Sequence, residues 1–328
     1  MAGMKFLLST YSTAFLASGG GESELVQIAE TLNESAVHAD IYGIQSRPLD
    51  FYDAVMHFSV QAEGKAFFDA VRARQTPILL WPNVWWSSPP VASEIERIQL
   101  FVNQAHKVLF KSLTECEQFA RHVNVPPAKR VVAPICVSSR FTTAPDLDLA
   151  KTVCEMDDYV LCLGRVEPIK NQLTLIRALR QLGLRGVMVG GHNDAAYLQQ
   201  CKAEAGDSVQ FLPWVKPCSR LLLSLLAGSR VVAETSFDPA GRSSLEAALA
   251  NKPLVLSADD WVDEYFADTV YKADPHSLDQ TVAALQQAIS DAQGARLAAR
   301  AHERIAERHA STAAAAQFVT TIVDACDG

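Results

Sequence analysis

The amino-acid sequence predicts an α/β protein that is built from two similar parts. Short apolar runs alternate along the chain with segments of helical periodicity, an order that is typical of parallel strands connected by helices. This order is interrupted at residues 138–157, where polar and turn-forming residues indicate an inter-domain linker. A second series of similar length follows the interruption. We therefore expect two Rossmann-like domains, one over residues 1–143 and the other over residues 155–309.

The first series opens with a strand at Lys5–Ser9, which runs into a loop of three glycines at residues 19–21. A helix is expected over residues 22–32, because apolar residues recur there at helical spacing. The other expected strands lie at residues 39–42, 54–58, 78–81, 107–110 and 130–133. The other expected helices lie at residues 62–74, 93–105 and 113–123.

The second series resembles the first in its alternation of strands and helices. Its expected strands lie at residues 159–163, 186–190, 209–212, 230–233 and 254–257. Its expected helices lie at residues 171–182, 195–205 and 219–227. Ligands of open α/β sheets bind beyond the carboxyl ends of the strands, so the loops that follow these strands are the first place to look for a site.

Composition limits the function of the chain. Of its 328 residues, 49% are hydrophobic and 20% are charged, as expected of a globular protein with room for two cores. The net charge of -8 argues against nucleic acid as the main partner, because proteins that follow phosphate backbones usually carry a basic excess. Seven irregularly spaced cysteines without a C-x-x-C pair favour a reducing cytoplasm over a disulfide framework or a zinc site. No stretch approaches the ~20 apolar residues of a membrane span, so we expect a cytoplasmic protein with at most peripheral contact with the inner face of a membrane.

The segment ETSFDPAGRSSLEAALA has the composition of a ligand-binding loop that leads into a helix. Asp238 lies in the loop, Gly241 permits close approach of the backbone, and Ser243 or Ser244 is expected to cap the helix. Amides at a helix start attract phosphate, and Glu246, a turn inside, can accept hydrogen bonds from the two hydroxyls of a ribose. An ordinary capped helix explains the same residues, so this segment alone does not decide the function.

The segment GRVEPIKN follows the first strand of the second series. It places Arg165 and Lys170 between a strand end and a helix start, where a guanidinium and an ammonium can both reach a diphosphate. Each cation taken singly would be an ordinary surface residue. The glycine loop of the first series is not a complete G-x-G-x-x-G fingerprint. Taken with that loop, however, the two cations favour a diphosphate ligand.

Together these segments resemble the retaining GT-B glycosyltransferases of family 4, the glycosyl transferases group 1. GRVEPIKNQLTLIRAL is similar to the G-R-x-x-x-x-K-x segment of that family, and SFDPAGRSSLEAALANKPLVLS to its E-P-x-G-x-x-x-x-E-A element with the strand behind it. SGGGESEL is similar to its Gly-Gly-x-Glu loop and DAVMHF to its third-strand segment. The resemblance covers most of the chain, and the shared order of the segments makes it more specific than any single match.

The resemblance implies two Rossmann-like domains that face a central cleft, with a nucleotide-sugar donor on the second domain and the acceptor entering from the first. It also implies transfer of a hexose-type sugar with retention of anomeric configuration, in surface glycan synthesis, to a glycan or lipid-linked glycan acceptor. No metal or other cofactor is expected, because two cations and the amides of a helix start neutralise the leaving diphosphate. A C-terminal helix over about residues 310–328 is expected to pack back on the first domain.

The resemblance also implies roles for individual residues. Arg165 and Lys170 match the pair that binds the diphosphate, and Asp238 matches the carboxylate that holds the hydroxyls of the donor sugar. Glu246 matches the carboxylate that binds ribose. The remaining donor-binding candidates are the helix start at Gly241, Arg242 and Ser243 and the phosphate-contacting backbone of Gly20 or Gly21.

The chain departs from the family pattern at three places that bear on the donor sugar. Asp238 stands where the family has a glutamate, and this shortens the carboxylate arm by one methylene. Asn83 in LLWPNVWW lies where many relatives have a histidine that faces the donor sugar. Residues 135–138, Ile-Cys-Val-Ser, replace an N-G-V-D run. These departures leave the fold prediction intact and change which sugar hydroxyls can be reached.

Further residues are candidates for acceptor or sugar contacts. Trp85 and Trp86 lie in a loop rich in proline and serine, where their faces suit a sugar or a lipid. His57 ends a strand, where it either faces the ligand or serves as a structural histidine. Glu264 resembles a family position near the donor sugar. Two other functions fit the same residues, namely a nucleotide-sugar epimerase or hydrolase and a non-catalytic protein that binds sugar nucleotides.

Overall fold

The computed structural model describes residues 3–17, 19–35, 37–143, 145–154, 156–290, 292–310 and 312–327. Ser18, which opens the segment SGGGESEL, and Ala144 and Glu155 of the predicted linker lie outside these residues. The chain divides into two compact units. The first combines Met1–Cys136 with Ser311–Gly328, and the second comprises Val137–Ala310. The first unit therefore leaves off at Cys136, where the sequence analysis placed the end of the first domain at residue 143.

The first unit contains a parallel sheet of six strands in the order β2-β1-β3-β4-β5-β6. The strands are β1 (Lys5–Ser9), β2 (His38–Ile41), β3 (Ala54–Phe58), β4 (Ile78–Trp81), β5 (Lys107–Phe110) and β6 (Arg130–Val132). The helices are α1 (Gly20–Glu34), α2 (Lys65–Ala73), α3 (Ala92–Gln104), α4 (Leu113–Ala120) and, from the end of the chain, α13 (Thr312–Asp327). All the strands predicted for this unit are present, within one residue at their ends.

Both faces of this sheet are covered by helices, which explains why its strands are continuous apolar runs. Side chains alternate across β1, so Phe6 and Leu8 belong to one core and Leu7 to the other. The first core includes residues of α1 together with Phe318 and Ile322 of α13. The C-terminal helix therefore packs beside α1 on the first unit.

The second unit contains a second parallel sheet of six strands, in the order β12-β11-β10-β7-β8-β9. Its strands are β7 (Tyr159–Leu163), β8 (Gly186–Val189), β9 (Val209–Leu212), β10 (Ser229–Glu234), β11 (Leu254–Ser257) and β12 (Tyr271–Ala273). Its helices are α5 (Leu147–Cys154), α6 (Gln172–Leu182), α7 (Ala195–Ala205), α8 (Arg220–Gly228), α9 (Arg242–Leu249), α10 (Asp260–Phe266), α11 (Leu278–Ser290) and α12 (Ala292–Ile305). The predicted α/β fold with two Rossmann-like domains is confirmed.

Helix α5 corrects the prediction of an irregular linker over residues 138–157. Its apolar residues Leu149, Ala150, Val153 and Cys154 do recur at helical spacing, but the helix has only eight residues and polar and turn-forming residues precede it. Hydrogen bonds with α8 hold the helix in place. Ser224 Oγ accepts a hydrogen bond from Ala150 N at 2.8 Å and donates to the carbonyl of Asp146. Asp146 also pairs with Arg220 at 2.7 Å. The helix is thus stabilised by residues more than seventy positions away.

Within the described ranges, no helix has both the length and the apolar character needed to span a bilayer.

Candidate functional site

The loop after β7 is held against the end of β8 by two glycines. A Cβ atom built on Gly190 would lie 2.1 Å from the carbonyl oxygen of Gly164, so only glycine permits this approach. Val166 N donates to the carbonyl of Gly191 at 2.8 Å and continues the pairing of the two segments. The backbone that leads to Arg165 is consequently fixed at the carboxyl edge of the sheet.

Lys170 is positioned by the residue that follows it. Pro168–Lys170 forms one turn of 3-10 helix, and Asn171 then adopts a left-handed backbone conformation with φ 54° before α6 begins. The Asn171 amide is buried, and its Nδ2 donates to the carbonyls of Thr235 at 2.9 Å and Pro275 at 2.7 Å. This amide ties the loop after β7 to the loops after β10 and β12, which keeps Lys170 in place.

The structure brings Lys170 together with Asp238, which lies 68 residues later in the chain. Lys170 Nζ donates to Asp238 Oδ1 at 2.9 Å and to Oδ2 at 2.7 Å, and each side chain is 22% exposed. The loop of Asp238 is itself anchored, because Phe237 N donates to the carbonyl of Ile169 at 2.8 Å and Ser236 Oγ donates to the carbonyl of Asp238 at 2.7 Å. A cation and a carboxylate therefore meet at the edge of the sheet with part of each still open to solvent.

Helix α9 starts two or three residues earlier than a serine cap would place it, which corrects the expectation that Ser243 or Ser244 caps the helix. The N-cap is Gly241, whose φ of 69° favours glycine, and no side chain makes a capping hydrogen bond there. The two serines consequently lie inside the first turn, where their hydroxyls act as donors. Ser244 Oγ donates to the carbonyl of Gly241 at 2.6 Å, and Ser243 Oγ donates to Glu234 Oε2 at 2.9 Å.

Glu246 lies one turn along α9 and is buried with Arg242. Arg242 Nε is 3.5 Å from Glu246 Oε1 in an i,i+4 pair, and both side chains are largely shielded from solvent. Charge neutralisation by Arg242 explains how a carboxylate can be accommodated at this depth. The candidate ribose carboxylate and the helix start thus form one compact group with Gly241 and Ser243.

Two other candidates of this unit lie more openly. Arg165 is paired with Glu167, at 3.5 Å between Nε and Oε1, and its side chain is 40% exposed. Glu264 is half-buried on α10, and its carbonyl accepts a hydrogen bond from Arg304 Nη2 at 3.1 Å. Neither is placed by a described contact against Lys170 or Glu246, so their part in a site stays a prediction.

Glu234 is a residue of this region for which the sequence analysis gave no role. It ends β10, is 4% exposed and accepts the hydrogen bond from Ser243. Burial raises the pKa of its carboxyl to about 8, and the neighbouring Lys170 and the Ser243 hydroxyl act in the opposite direction. Its position in the sequence could have indicated its burial, since a charged residue directly after the apolar run Val231–Ala233 of a central strand cannot easily reach water.

In the first unit, the structure brings Gly21 and Asn83 together. A Cβ atom built on Gly21 would lie 3.0 Å from Asn83 Nδ2. Lys111 orients this amide by donating from Nζ to Asn83 Oδ1 at 2.6 Å, and it also pairs with the buried Glu24 at 2.9 Å. Lys111 and Glu24 cannot be recognised as partners from the sequence, because nothing in their local sequence links residues 87 positions apart.

Gly20 and Gly21 are the first residues of α1 and do not lie in a loop, as the sequence analysis expected. Gly19 is the N-cap, and Glu22 Oε2 accepts a hydrogen bond from Gly19 N at 2.7 Å. This carboxylate satisfies one of the amides at the helix start and places negative charge beside it. A phosphate that reached Gly20 would have to compete with Glu22 for this end of the helix.

His57 is a core residue of the first unit. It is 1% exposed, its Nδ1 lies 2.9 Å from Ser9 Oγ, and its ring stacks on Phe67 and Phe101. Burial lowers the pKa of the ring to about 4, so His57 is neutral near pH 7. Of the two roles considered from the sequence, the structural one fits this environment, because no exposed edge of the ring is left to contact an acceptor.

The two tryptophans of the loop after β4 differ in their surroundings. Trp86 packs on Phe119 of α4 and donates from Nε1 to Glu94 Oε1 at 3.3 Å, so much of its surface serves the fold of the first unit. Trp85 is half-buried. Of the two, Trp85 remains the better candidate for binding a sugar or a lipid.

The close approach of Gly190 to Gly164 gives a prediction about stability. We expect Gly190→Ala to lower the free energy of unfolding by about 3 kcal/mol or more, because the new methyl group meets backbone atoms that cannot move aside. Gly191→Ala is the matched control, since a Cβ at Gly191 meets nothing within 4 Å. Chemical denaturation of both variants checks the prediction, and equal midpoints would contradict it.

With the geometry of the second unit in place, comparison with known families identifies it. Residues 148–308 match the family described as Glycosyl transferases group 1. The second unit belongs to this family. The match contains every candidate of this unit that the sequence analysis named, from Arg165 to Glu264, and the predicted family is confirmed. No curated protein matches this chain by sequence.

Solved structures resemble this chain over nearly its whole length. The structure of HepE from Anabaena in complex with UDP and glucose is 18% identical with a TM-score of 0.81 and covers 99% of this chain and 100% of its own. Sucrose-phosphate synthase from Thermosynechococcus elongatus is 16% identical, with a TM-score of 0.78 and 98% of each chain covered. The UDP-forming trehalose-phosphate synthase from Burkholderia xenovorans, solved with glucose-6-phosphate, is 11% identical, with a TM-score of 0.72 and 99% and 100% covered. These similarities establish the GT-B fold.

Proposed function

We propose that the chain transfers a hexose-type sugar from a nucleotide-diphosphate sugar to an acceptor hydroxyl with retention of anomeric configuration. The observation that carries this proposal is the Lys170–Asp238 pair beside the start of α9. It puts a cation where a diphosphate can meet both an ammonium and helix amides, and a carboxylate where it can accept hydrogen bonds from sugar hydroxyls.

Each part of the donor is proposed to contact residues whose chemistry suits it. Its diphosphate contacts Lys170, the exposed guanidinium of Arg165 and the amides at the start of α9 at Gly241, Arg242 and Ser243. Its ribose donates hydrogen bonds to Glu246. Asp238 then exchanges part of its contact with Lys170 for the hydroxyls of the sugar. The carboxylate of Asp238 is shorter than a glutamate, so the hydroxyl it reaches is one that lies close to this loop.

The proposed reaction needs no general base from the protein. The bond between the anomeric carbon and the diphosphate oxygen breaks, and the acceptor oxygen bonds to the same face of that carbon. The proton of the acceptor hydroxyl passes to the departing diphosphate, whose charge Lys170 and Arg165 stabilise. The products are the glycosylated acceptor and a nucleoside diphosphate. Proton NMR of the product tests this course, and an inverted anomeric centre would rule it out.

We assign the acceptor to the first unit and take it to be a glycan or a lipid-linked glycan, in cytoplasmic synthesis of a surface glycan. Trp85 and Asn83 are the residues of that unit proposed to meet it. Peripheral membrane contact follows if the acceptor is lipid-linked. Sedimentation with vesicles that carry a lipid-linked glycan distinguishes this acceptor from a free one.

A nucleotide screen tests the donor site directly. UDP, GDP, ADP and CMP are compared by thermal shift, with UDP-glucose as the first sugar donor because HepE was solved with UDP-glucose. A true ligand at 100 times its Kd stabilises the folded chain by about 2.7 kcal/mol. Nucleosides without phosphate are the control and should stabilise much less. The matched donor incubated without acceptor should stay intact, whereas conversion of its sugar would indicate an epimerase or hydrolase, and binding without turnover would indicate a non-catalytic protein.

Metal removal gives a further prediction. Because the diphosphate is neutralised by Lys170, Arg165 and helix amides in this proposal, we expect turnover in excess EDTA to equal that in added Mg²⁺. The measurement is the initial rate under both conditions with the donor identified by the screen. A rate that collapses in EDTA and returns with Mg²⁺ would show that a metal shares the role assigned to the two cations.

A further inference from the structure

Glu234 is buried at the point where the donor site begins. It is the last residue of β10, a strand paired with β7 on one side and β11 on the other, and it is 4% exposed. Its Oε2 accepts the hydrogen bond from Ser243 Oγ at 2.9 Å, and its Oε1 is buried without a partner in the described part of the chain. A carboxylate left half satisfied in this way is costly, whereas a neutral carboxylic acid tolerates the same place far better.

The hydrogen bond from Ser243 links Glu234 to the donor site. Ser243 lies in the first turn of α9, directly after Arg242. Among the described contacts, the only other acceptor of its hydroxyl is the carbonyl of Ala240 at 3.2 Å. Glu234 therefore helps to fix how the first turn of α9 presents its amides. The same carboxyl is close enough to Lys170 and Asp238 for their charges to act on it.

The charged and titratable groups around Glu234 come from several elements. Cys162 faces it from β7, Lys170 from the loop after β7, Asp238 from its own loop, and Glu246 with its partner Arg242 from α9. Burial raises the pKa of Cys162 above the range in question, so that this group stays a neutral thiol. The charged side chains of the other helices that pack on β10 are Arg220 on α8 and Asp279 on α11, and both are exposed.

These groups form two neutral pairs around one carboxyl. Lys170 is balanced by Asp238 and Arg242 by Glu246, so ionisation of Glu234 would add one uncompensated negative charge to the group. Near pH 7 the carboxyl is mainly neutral, because burial raises its pKa to about 8. A donor diphosphate brings further negative charge to the same place and is repelled by an ionised Glu234.

We propose that Glu234 is a positioning residue of the donor site, which in its neutral form holds Ser243 at the start of α9 and leaves the charge of Lys170 to the donor, so that donor affinity falls when Glu234 ionises. This inference rests on the proposed function, since it takes the diphosphate of a nucleotide sugar as the ligand.

The test compares the wild type with Glu234→Gln, which keeps the shape of the side chain and cannot ionise. UDP-glucose, GDP-mannose and ADP-glucose are titrated in turn by calorimetry at about pH 6.5 and about pH 9, on either side of the value of about 8. We expect the wild type to bind its donor about tenfold more weakly at the higher pH, because with a pKa of about 8 only about one Glu234 carboxyl in ten is still neutral at pH 9. Glu234→Gln should bind with nearly the same Kd at both. Glu303→Gln, which changes an exposed glutamate of α12, is the matched control and should keep the wild-type pH dependence.

A second readout does not depend on the donor. A carboxyl whose pKa is raised on folding makes the folded protein less stable as the pH rises from the ordinary pKa of 4.5 to about 8. In this window the folded chain retains a proton that the unfolded chain has released. The free energy of unfolding of the wild type should therefore fall relative to that of Glu234→Gln over this window. If this change is seen while both proteins show the same pH dependence of donor binding, Glu234 is only a structural residue and the inference is wrong. If the stability difference does not change with pH, the buried acid itself is refuted. If the wild type binds none of the three donors at either pH, the proposed function fails and the inference with it.

Discussion

Lys170→Ala is expected to lower kcat/KM about 10³-fold while leaving the fold intact. In the proposed reaction the ammonium stabilises charge that develops on the departing diphosphate, and removal of one such preorganised group typically costs 10²–10³ in rate. Stability should change little, because Lys170 and Asp238 are each 22% exposed and partly exposed ion pairs contribute about 1 kcal/mol or less. Steady-state kinetics with the identified donor, together with chemical denaturation, measures both quantities.

Two comparison variants make this result specific. Lys202→Ala removes an exposed cation of α7 in the same unit and should leave the rate unchanged. Lys170→Arg keeps the charge but changes the length and geometry of the donor group, so it should recover only part of the rate. A folded Lys170→Ala protein with wild-type kcat/KM would show that Lys170 does not hold the leaving group.

The double variant Lys170→Ala with Asp238→Asn separates two reasons for the loss. The single variant leaves the Asp238 carboxylate without its partner, next to the diphosphate that it repels. If this repulsion contributes, the double variant will be faster than Lys170→Ala alone, and the two effects will not add. If Asp238 contacts the donor sugar, Asp238→Asn in the wild-type background will be slow as well. A fast Asp238→Asn variant would reduce Asp238 to a partner of Lys170.

The parts of the fold that depend on local pattern could be read from the sequence. Strands such as β7 and β11 are short runs buried on both faces, and they stand out against the helical segments between them. Helix α5 is harder to predict, because it has only eight residues, follows a run of polar and turn-forming residues, and depends on hydrogen bonds with Ser224 of α8. The start of α9 depended on the backbone of Gly241, and a serine two residues later looks from the sequence like an equally good cap.

The candidate site shows the same division. Arg165, Lys170 and Glu246 were named because a motif places them at strand ends and a helix start. What the motif cannot give is the pairing of Lys170 with Asp238 or of Lys111 with Asn83, since the partners meet only after the strands are ordered in their sheets. Glu234 was missed because one more glutamate near a loop looks like a surface charge until its burial is known. His57 was open to two interpretations, and its aromatic neighbours decide for the core.

Glu246→Gln is expected to weaken binding of the donor nucleotide about 10- to 100-fold, the usual contribution of hydrogen bonds to a charged group. Glutamine keeps the volume of the side chain beside Arg242, so the change reports on the carboxylate and leaves the packing of α9 intact. The decisive comparison is between a ribonucleoside diphosphate and its 2′-deoxy analogue, each titrated against both proteins. Wild type should discriminate strongly against the deoxy analogue, because the carboxylate loses the hydroxyl it was placed to meet. Glu246→Gln should discriminate far less. Combining this variant with the 2′-deoxy analogue should therefore weaken binding little more than either change alone. If both proteins showed the same ratio of affinities for the two nucleotides, Glu246 would not bind the ribose, and its buried pair with Arg242 would have to be explained by the stability of α9 alone.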